Sequence, residues 1–287
     1  MQMKMKTKTP PLFTLLLSIV AFISWAVASD LPAPDTRTPV LVELFTSEGC
    51  SSCPPADALL GKLDGQPILG TQLIVLSEHV DYWDHDGWKD AYSSRLFTER
   101  QEDYVRRFKL NSAFTPQMVI DGANQTNGSN GPAVASALKN AVSQAKIPLK
   151  ISSISVADKN TLQVHLVVST LPADSREKKA DIFIAVALDH AESHVSGGEN
   201  KGRDIRHVAV AESINKVGTV DKTKNFDRDV QVKVQGKVSS AVDLANLRLI
   251  AFVQAPDVGP VLGASLVSPS TPVVGSTSKA IVSSLIH

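Results

Sequence analysis

Cys50 and Cys53 stand in the segment Cys50-Ser51-Ser52-Cys53, and they are the two cysteines of a 287-residue chain. A Cys-x-x-Cys pair does one of two kinds of chemistry. It forms a disulfide that opens by thiol exchange, or it lends two thiolates to a soft metal ion. The apolar run Val40-Leu41-Val42-Glu43-Leu44-Phe45 precedes the motif, and Pro54-Pro55-Ala56-Asp57-Ala58-Leu59-Leu60 follows it. That pattern reads as strand, short loop and helix start. The free amides and partial positive charge of a helix N-terminus stabilise a thiolate, which is the nucleophile of disulfide exchange. Cys50, at the helix entrance, is the expected attacking thiol, and Cys53, deeper, the resolving one. Glu48 opposes this, because a carboxylate facing the sulfur would raise the Cys50 pKa. As a static bridge the pair would close a ring of four residues and remove little chain entropy.

The elements that must position this motif follow in order. A helix after Cys53 runs to the turn at Gly65-Gln66-Pro67. Leu73-Ile74-Val75-Leu76-Ser77-Glu78-His79-Val80 reads as a strand buried on both faces. The polar, turn-rich stretch 81–90 reads as a loop facing the site, and 98–109 as a helix. Thr115-Pro116-Gln117-Met118-Val119-Ile120 opens a short strand ending at the Asp121-Gly122 turn, and 133–146 reads as an Ala-rich helix. From Pro148 the pattern turns to strands, at 149–151, 162–168, 182–188, 230–234 and 247–253, several alternating at period two.

The ends and the composition bound the class. Lys4, Lys6 and Lys8 precede a mostly apolar stretch at 12–27, and Ala26-Val27-Ala28 supplies small residues for cleavage. Residues 1–28 therefore read as a secretory signal peptide, with no membrane span after its removal. Residues 267–287, rich in Ser, Thr and Val, read as a flexible tail. Basic and acidic residues number 29 each, so no basic stripe points to nucleic acid.

Thr115-Pro116 lies about sixty residues after the cysteines, at a strand start following a helix. This order resembles thioredoxin, in which a cis-proline loop packs beside the Cys-x-x-Cys site. The resemblance narrows on Phe45-Thr46-Ser47-Glu48-Gly49-Cys50-Ser51-Ser52-Cys53-Pro54-Pro55-Ala56, His79-Val80-Asp81-Tyr82-Trp83-Asp84, Thr115-Pro116-Gln117-Met118-Val119-Ile120-Asp121-Gly122 and Gly198-Glu199-Asn200-Lys201-Gly202-Arg203. These blocks resemble the secreted bacterial proteins of domain-of-unknown-function family 1223. The resemblance implies export, to the periplasm or outside the cell, and an α/β thioredoxin-like N-terminal domain at 38–147. An all-β sandwich-like C-terminal domain is expected at 148–266.

The function expected is thiol–disulfide exchange, with Cys50 and Cys53 catalytic and Thr115, Pro116 and Trp83 shaping the substrate groove. No cofactor is expected. The partners would be protein or small-molecule thiols and disulfides, with an external redox partner. Two alternatives stay open. One is a Zn or Cu module in which His79 joins Cys50 and Cys53 as a metal ligand, with Asp81, Asp84 and His85 nearby. The other is a non-catalytic scaffold with a static disulfide. A second metal reading of Asp189, His190, Glu192 and His194, with His207 nearby in sequence, competes with ordinary hydrogen bonding at a strand end and loop. Gly197-Gly198-Glu199-Asn200-Lys201-Gly202-Arg203 lacks the P-loop pattern, and Glu199 with Arg203 is expected to form an ion pair.

Overall fold

The computed structural model describes residues 37–64, 70–158, 160–234 and 246–268. The expected signal peptide, and the expected tail from residue 269 on, lie outside the described residues. The strands are β1 (Thr38–Thr46), β2 (Thr71–His79), β3 (Gln117–Ile120), β4 (Asn124–Asn127), β5 (Leu149–Asp158) and β6 (Thr161–Val168). They continue with β7 (Lys179–His194), β8 (Asp204–Asp221), β9 (Phe226–Lys233), β10 (Leu247–Gln254) and β11 (Val261–Val267). The helices among the described residues are α1 (Pro54–Asp64), α2 (Arg95–Phe108) and α3 (Gly131–Val142), with a 3-10 turn at Asp81–Trp83.

The expected fold class is overturned. Strands make up 47% of the described residues and helices 19%, and the architecture is not an α/β thioredoxin-like domain followed by an all-β sandwich. One mixed eight-stranded sheet runs in the order β11-β10-β7-β8-β2-β1-β3-β4, using strands from both sides of residue 148. The reason lies in β8, an 18-residue strand that the sequence reading left unassigned. It pairs with β7 along its length and meets β2 in parallel at Ser77↔Val210. The outer edge of β2 is thereby joined to strands of the C-terminal half. The strands β5-β6-β9 form a second, three-stranded sheet.

Side-chain parity on β1 and β2 explains the layers. Val40, Val42 and Leu44 pack with α1 and α3 residues such as Leu60 and Leu138 on one face. Leu41, Ile74 and Leu76 pack with Phe97 of α2 and with Ile250 and Phe252 of β10 on the other. Both faces are covered, as the continuous apolar run at 73–80 demands. The small sheet alternates in and out along β6 and stacks its apolar face on Ile182, Ile184, Leu249 and Ala251 of the large one.

The α2 face also carries buried charge. Arg100 reaches Glu43 at 2.5 Å and Glu78 at 3.6 Å, and the Tyr104 hydroxyl donates to Glu43 at 2.6 Å. Burial, followed by the charge of Glu43, holds the Glu78 carboxyl well above its ordinary pKa. Arg100 also donates to Gln254 Oε1 at 3.2 Å, which ties α2 to β10. A second anchor joins α1 to the far strands, where Arg248 bridges Asp64 at 2.7 Å and Asp189 at 2.5 Å.

Removing Arg100 leaves Glu43 buried and unpaired. Arg100→Met is expected to lose about 3–5 kcal/mol of stability, read as a lower urea midpoint with an unchanged slope. A loss below about 1 kcal/mol would mean that the cluster is solvated.

Candidate functional site

The site is built where α1 begins. The Cys50 amide donates to Ser47 O at 3.2 Å and the Cys53 amide to Cys50 O at 3.1 Å, which coils the loop. The amides of Ala56 and Asp57 then donate to Cys53 O at 2.8 and 3.1 Å, so the helix starts on the second cysteine. The two sulfurs form a disulfide with Cα atoms 5.4 Å apart. Both cysteines have zero exposure, whereas Ser51 and Ser52 between them are exposed.

Three sequence-predicted groove residues gather beside this loop. The Thr115–Pro116 peptide is cis. Ser52 Oγ donates to Thr115 O at 3.5 Å, and Trp83 Nε1 donates to Thr115 Oγ1 at 2.8 Å. Trp83 also lies against Gly49, where an added Cβ would stand 3.1 Å from the Trp83 Cβ. The fourth block arrives from the turn between β7 and β8. Glu199 does not pair with Arg203 as expected; its Oε2 accepts the Ser51 amide at 3.0 Å. Asn200, wholly buried, donates through Nδ2 to the carbonyls of Glu48 at 2.8 Å and Cys50 at 2.9 Å.

Behind the loop lies a buried ionisable cluster that sequence reasoning did not assemble. His207 of β8 stands between Glu48 of the cysteine loop and Asp57 of α1, 3.6 Å from each carboxylate. Glu48 Oε2 accepts from Trp88 Nε1 at 2.8 Å, and Asp57 Oδ2 accepts from Thr46 Oγ1 at 3.2 Å. Glu48 is thus turned towards the tryptophan and the imidazole. His79 Nδ1 meets Asp90 Oδ2 at 2.7 Å, and its ring lies 4.6 Å from that of His207. Glu48 Oε1, Asp57 Oδ1, His79 Nε2 and both His207 nitrogens are buried without a hydrogen-bond partner. The one signal in sequence was the pair of histidines at 79 and 207, and β8, which brings them together, went unread.

The charges set the pKa directions. Burial alone would lower the His207 pKa, but Asp57 and Glu48 more than reverse this and raise it to about 9. Burial would raise Glu48, and His207, Ser193 and Trp88 together bring it below its ordinary value. Burial would likewise raise Asp90, which the His79 ring and the amides of Glu48 and Tyr92 lower to about 2. His207 is therefore an imidazolium at neutral pH, held between two carboxylates.

The alternative ligand set is placed differently. Cys50 and Cys53 are joined to each other, and His79 is committed through Nδ1 to Asp90. Among the described residues no three His, Cys, Asp or Glu side chains are arranged to hold a metal ion. His190 pairs with Asp189 at 3.1 Å and His194 with Asp204 at 2.7 Å, both near the surface. No helix among the described residues is long and apolar enough to cross a membrane.

Residues 41–254 match the family described as Protein of unknown function (DUF1223). The chain belongs to this family. No curated protein matches it. The crystal structure of protein AGR_C_4864 from Agrobacterium tumefaciens is similar, with a TM-score of 0.60 and 24% identity over 82% of this chain and 96% of that one. HBP35 of Porphyromonas gingivalis is similar with a TM-score of 0.59 and 13% identity, over 82% of this chain and 78% of that one. Both likenesses bear on fold alone. All four sequence blocks that resembled the family meet at the disulfide.

The His207 ion cluster predicts the alkaline limit of stability. The folded pKa, about 9, lies above the ordinary value of 6.5, so the contribution is complete below pH 6.5 and is lost as pH rises through 9. Over that window the protein is expected to lose about 3 kcal/mol in urea denaturation. His207→Gln is expected to be less stable at pH 7 and nearly flat across the window. A flat profile in the unaltered protein would contradict the assignment.

Proposed function

We propose that this is an exported thiol–disulfide exchange protein whose Cys50–Cys53 pair cycles between disulfide and dithiol. The observation that carries the reading is a disulfide closing a four-residue ring at the start of α1. Such a ring contributes only about 2 kcal/mol of chain entropy, against about 5 for a bridge spanning a hundred residues. Its place at a helix start favours the thiolate instead. Thr115, Pro116 and Trp83 flank the pair, and Ser51 and Ser52 are its exposed members.

The exchange balances as follows. In the dithiol form, the Cys50 thiolate attacks one sulfur of a partner disulfide, forming a Cys50–partner bond and expelling the other partner sulfur as a thiolate. The Cys53 thiolate then attacks Cys50 Sγ, restores the Cys50–Cys53 bond and expels the second partner sulfur. The protein loses two electrons, the partner gains them, and the two cysteine protons pass to the expelled thiolates. An external dithiol reverses the sequence and regenerates the protein.

The rival is a non-catalytic scaffold with a static bridge, and the full burial of both sulfurs favours it. Turnover of a quenched disulfide-linked peptide, with dithiothreitol as electron source, separates the two. Exchange predicts a rate proportional to protein concentration that falls at least about 100-fold in Cys50→Ser. Cys53→Ser is expected to stall as a mixed disulfide at Cys50, visible by mass. A rate equal to background, identical in Cys50→Ser, would favour the static bridge.

A further inference from the structure

Residues 195–203, the tip of the β7–β8 hairpin, are joined to the loop that carries the buried disulfide. The tip closes on itself through Val195 N to Arg203 O at 2.9 Å and Gly202 N to Val195 O at 2.7 Å. It is then pinned to the rest of the protein at three points. Asn200 Nδ2 holds the carbonyls of Glu48 and Cys50, and Glu199 Oε2 holds the Ser51 amide. Gly197 presses on the Gly87 carbonyl so closely that a Cβ there would overlap it. Gly198, at φ +65°, lies with its own Cβ position 3.1 Å from Asp86 O.

These pins are polar or backbone contacts. Among residues 195–203 the apolar side chain is that of Val195; Ser196, Glu199, Lys201, Gly202 and Arg203 are exposed. A segment with few buried apolar contacts opens locally at much lower free energy than the core beneath it. Asn200 Oδ1 is buried with no hydrogen-bond partner, so the closed position carries an uncompensated polar group. The segment is therefore suited to release.

Two of the three pins end on the cysteine ring itself, on the Cys50 carbonyl and the Ser51 amide. The disulfide fixes the backbone of that ring. Opening it removes that constraint from residues 50–53, which carry both pinned groups. We propose that the hairpin tip is a redox-released lid, with Asn200 as its catch: shut over the disulfide and loosened over the dithiol. The inference rests on the exchange reading for its purpose. It names what that reading lacks, a route for a partner to sulfurs of zero exposure. A reductant meeting the disulfide form must wait for the tip to open, and the dithiol then presents Cys50 to a partner.

The test uses dithiothreitol alone as the probe and follows loss of the disulfide by alkylation and mass. In the unaltered protein the reduction rate is expected to level off with rising dithiothreitol, because tip opening becomes limiting. Asn200→Ala is expected to raise the plateau about tenfold or more, the factor that loss of two net hydrogen bonds allows. A second measurement needs no variant. Hydrogen exchange at the Ser51 and Gly202 amides is expected to be at least about tenfold faster in the dithiol form, with the paired amides of β7 and β8 unchanged. Equal tip protection in the two redox states, together with a reduction rate that stays linear in dithiothreitol, would overturn the lid. Both readouts are independent of peptide-disulfide turnover, so a failure of the exchange reading leaves them intact.

Discussion

The imidazolium of His207 between Glu48 and Asp57 is the interaction on which the site depends. A carboxylate in the cysteine loop and another on the first turn of α1 are both buried, and neither is tolerable there without a cation. The cation, His207, comes from β8, 159 residues after Glu48 and 150 after Asp57. Meeting this charge requires β8 to lie beside β2, and β8 carries the β7–β8 hairpin with it. The eight-stranded sheet, the cysteine loop and the hairpin tip thus all meet on the strand that supplies this cation. The Arg100–Glu43 pair plays the matching part on the opposite face of β1, where it fixes α2 to β10.

The same arrangement gives the proposed exchange a proposed route to a buried disulfide. A rigid apolar cover would make the bridge inert. The proposed cover is a hairpin tip held by an asparagine, a glutamate and a glycine contact, while its two strands are anchored in the sheet. The anchor and the movable part belong to one element. Two of the three contacts that hold the tip end on the cysteine ring, at the Cys50 carbonyl and the Ser51 amide.

Legibility in the sequence followed from local pattern. The strand at 40–45, the apolar run at 73–80, the helix after Cys53 and the Thr115-Pro116 strand are strongly patterned, and each is found near its expected limits. The approach of Thr115 and Trp83 to the cysteine loop also followed from order along the chain. What was not legible was β8. Its interspersed polar residues, among them His207, Glu212 and Asn215, obscure a strand that gains its partners only from β7 and β2. With it went the single mixed sheet, the buried ion cluster and the role of Asn200, which read as part of a Gly-rich loop. Long-range pairing decided these features, and local pattern carries no record of it.

The central claim is that Cys50 and Cys53 form a reversible redox couple within the folded protein. The most direct measurement is the equilibrium of that couple against graded glutathione buffers, read by alkylation and mass under conditions where the fold persists. The account predicts a reversible midpoint between about −120 and −270 mV, the span of known exchange proteins. A disulfide that resists reduction to below about −300 mV, or opens only as the protein unfolds, would contradict it and leave a structural bridge.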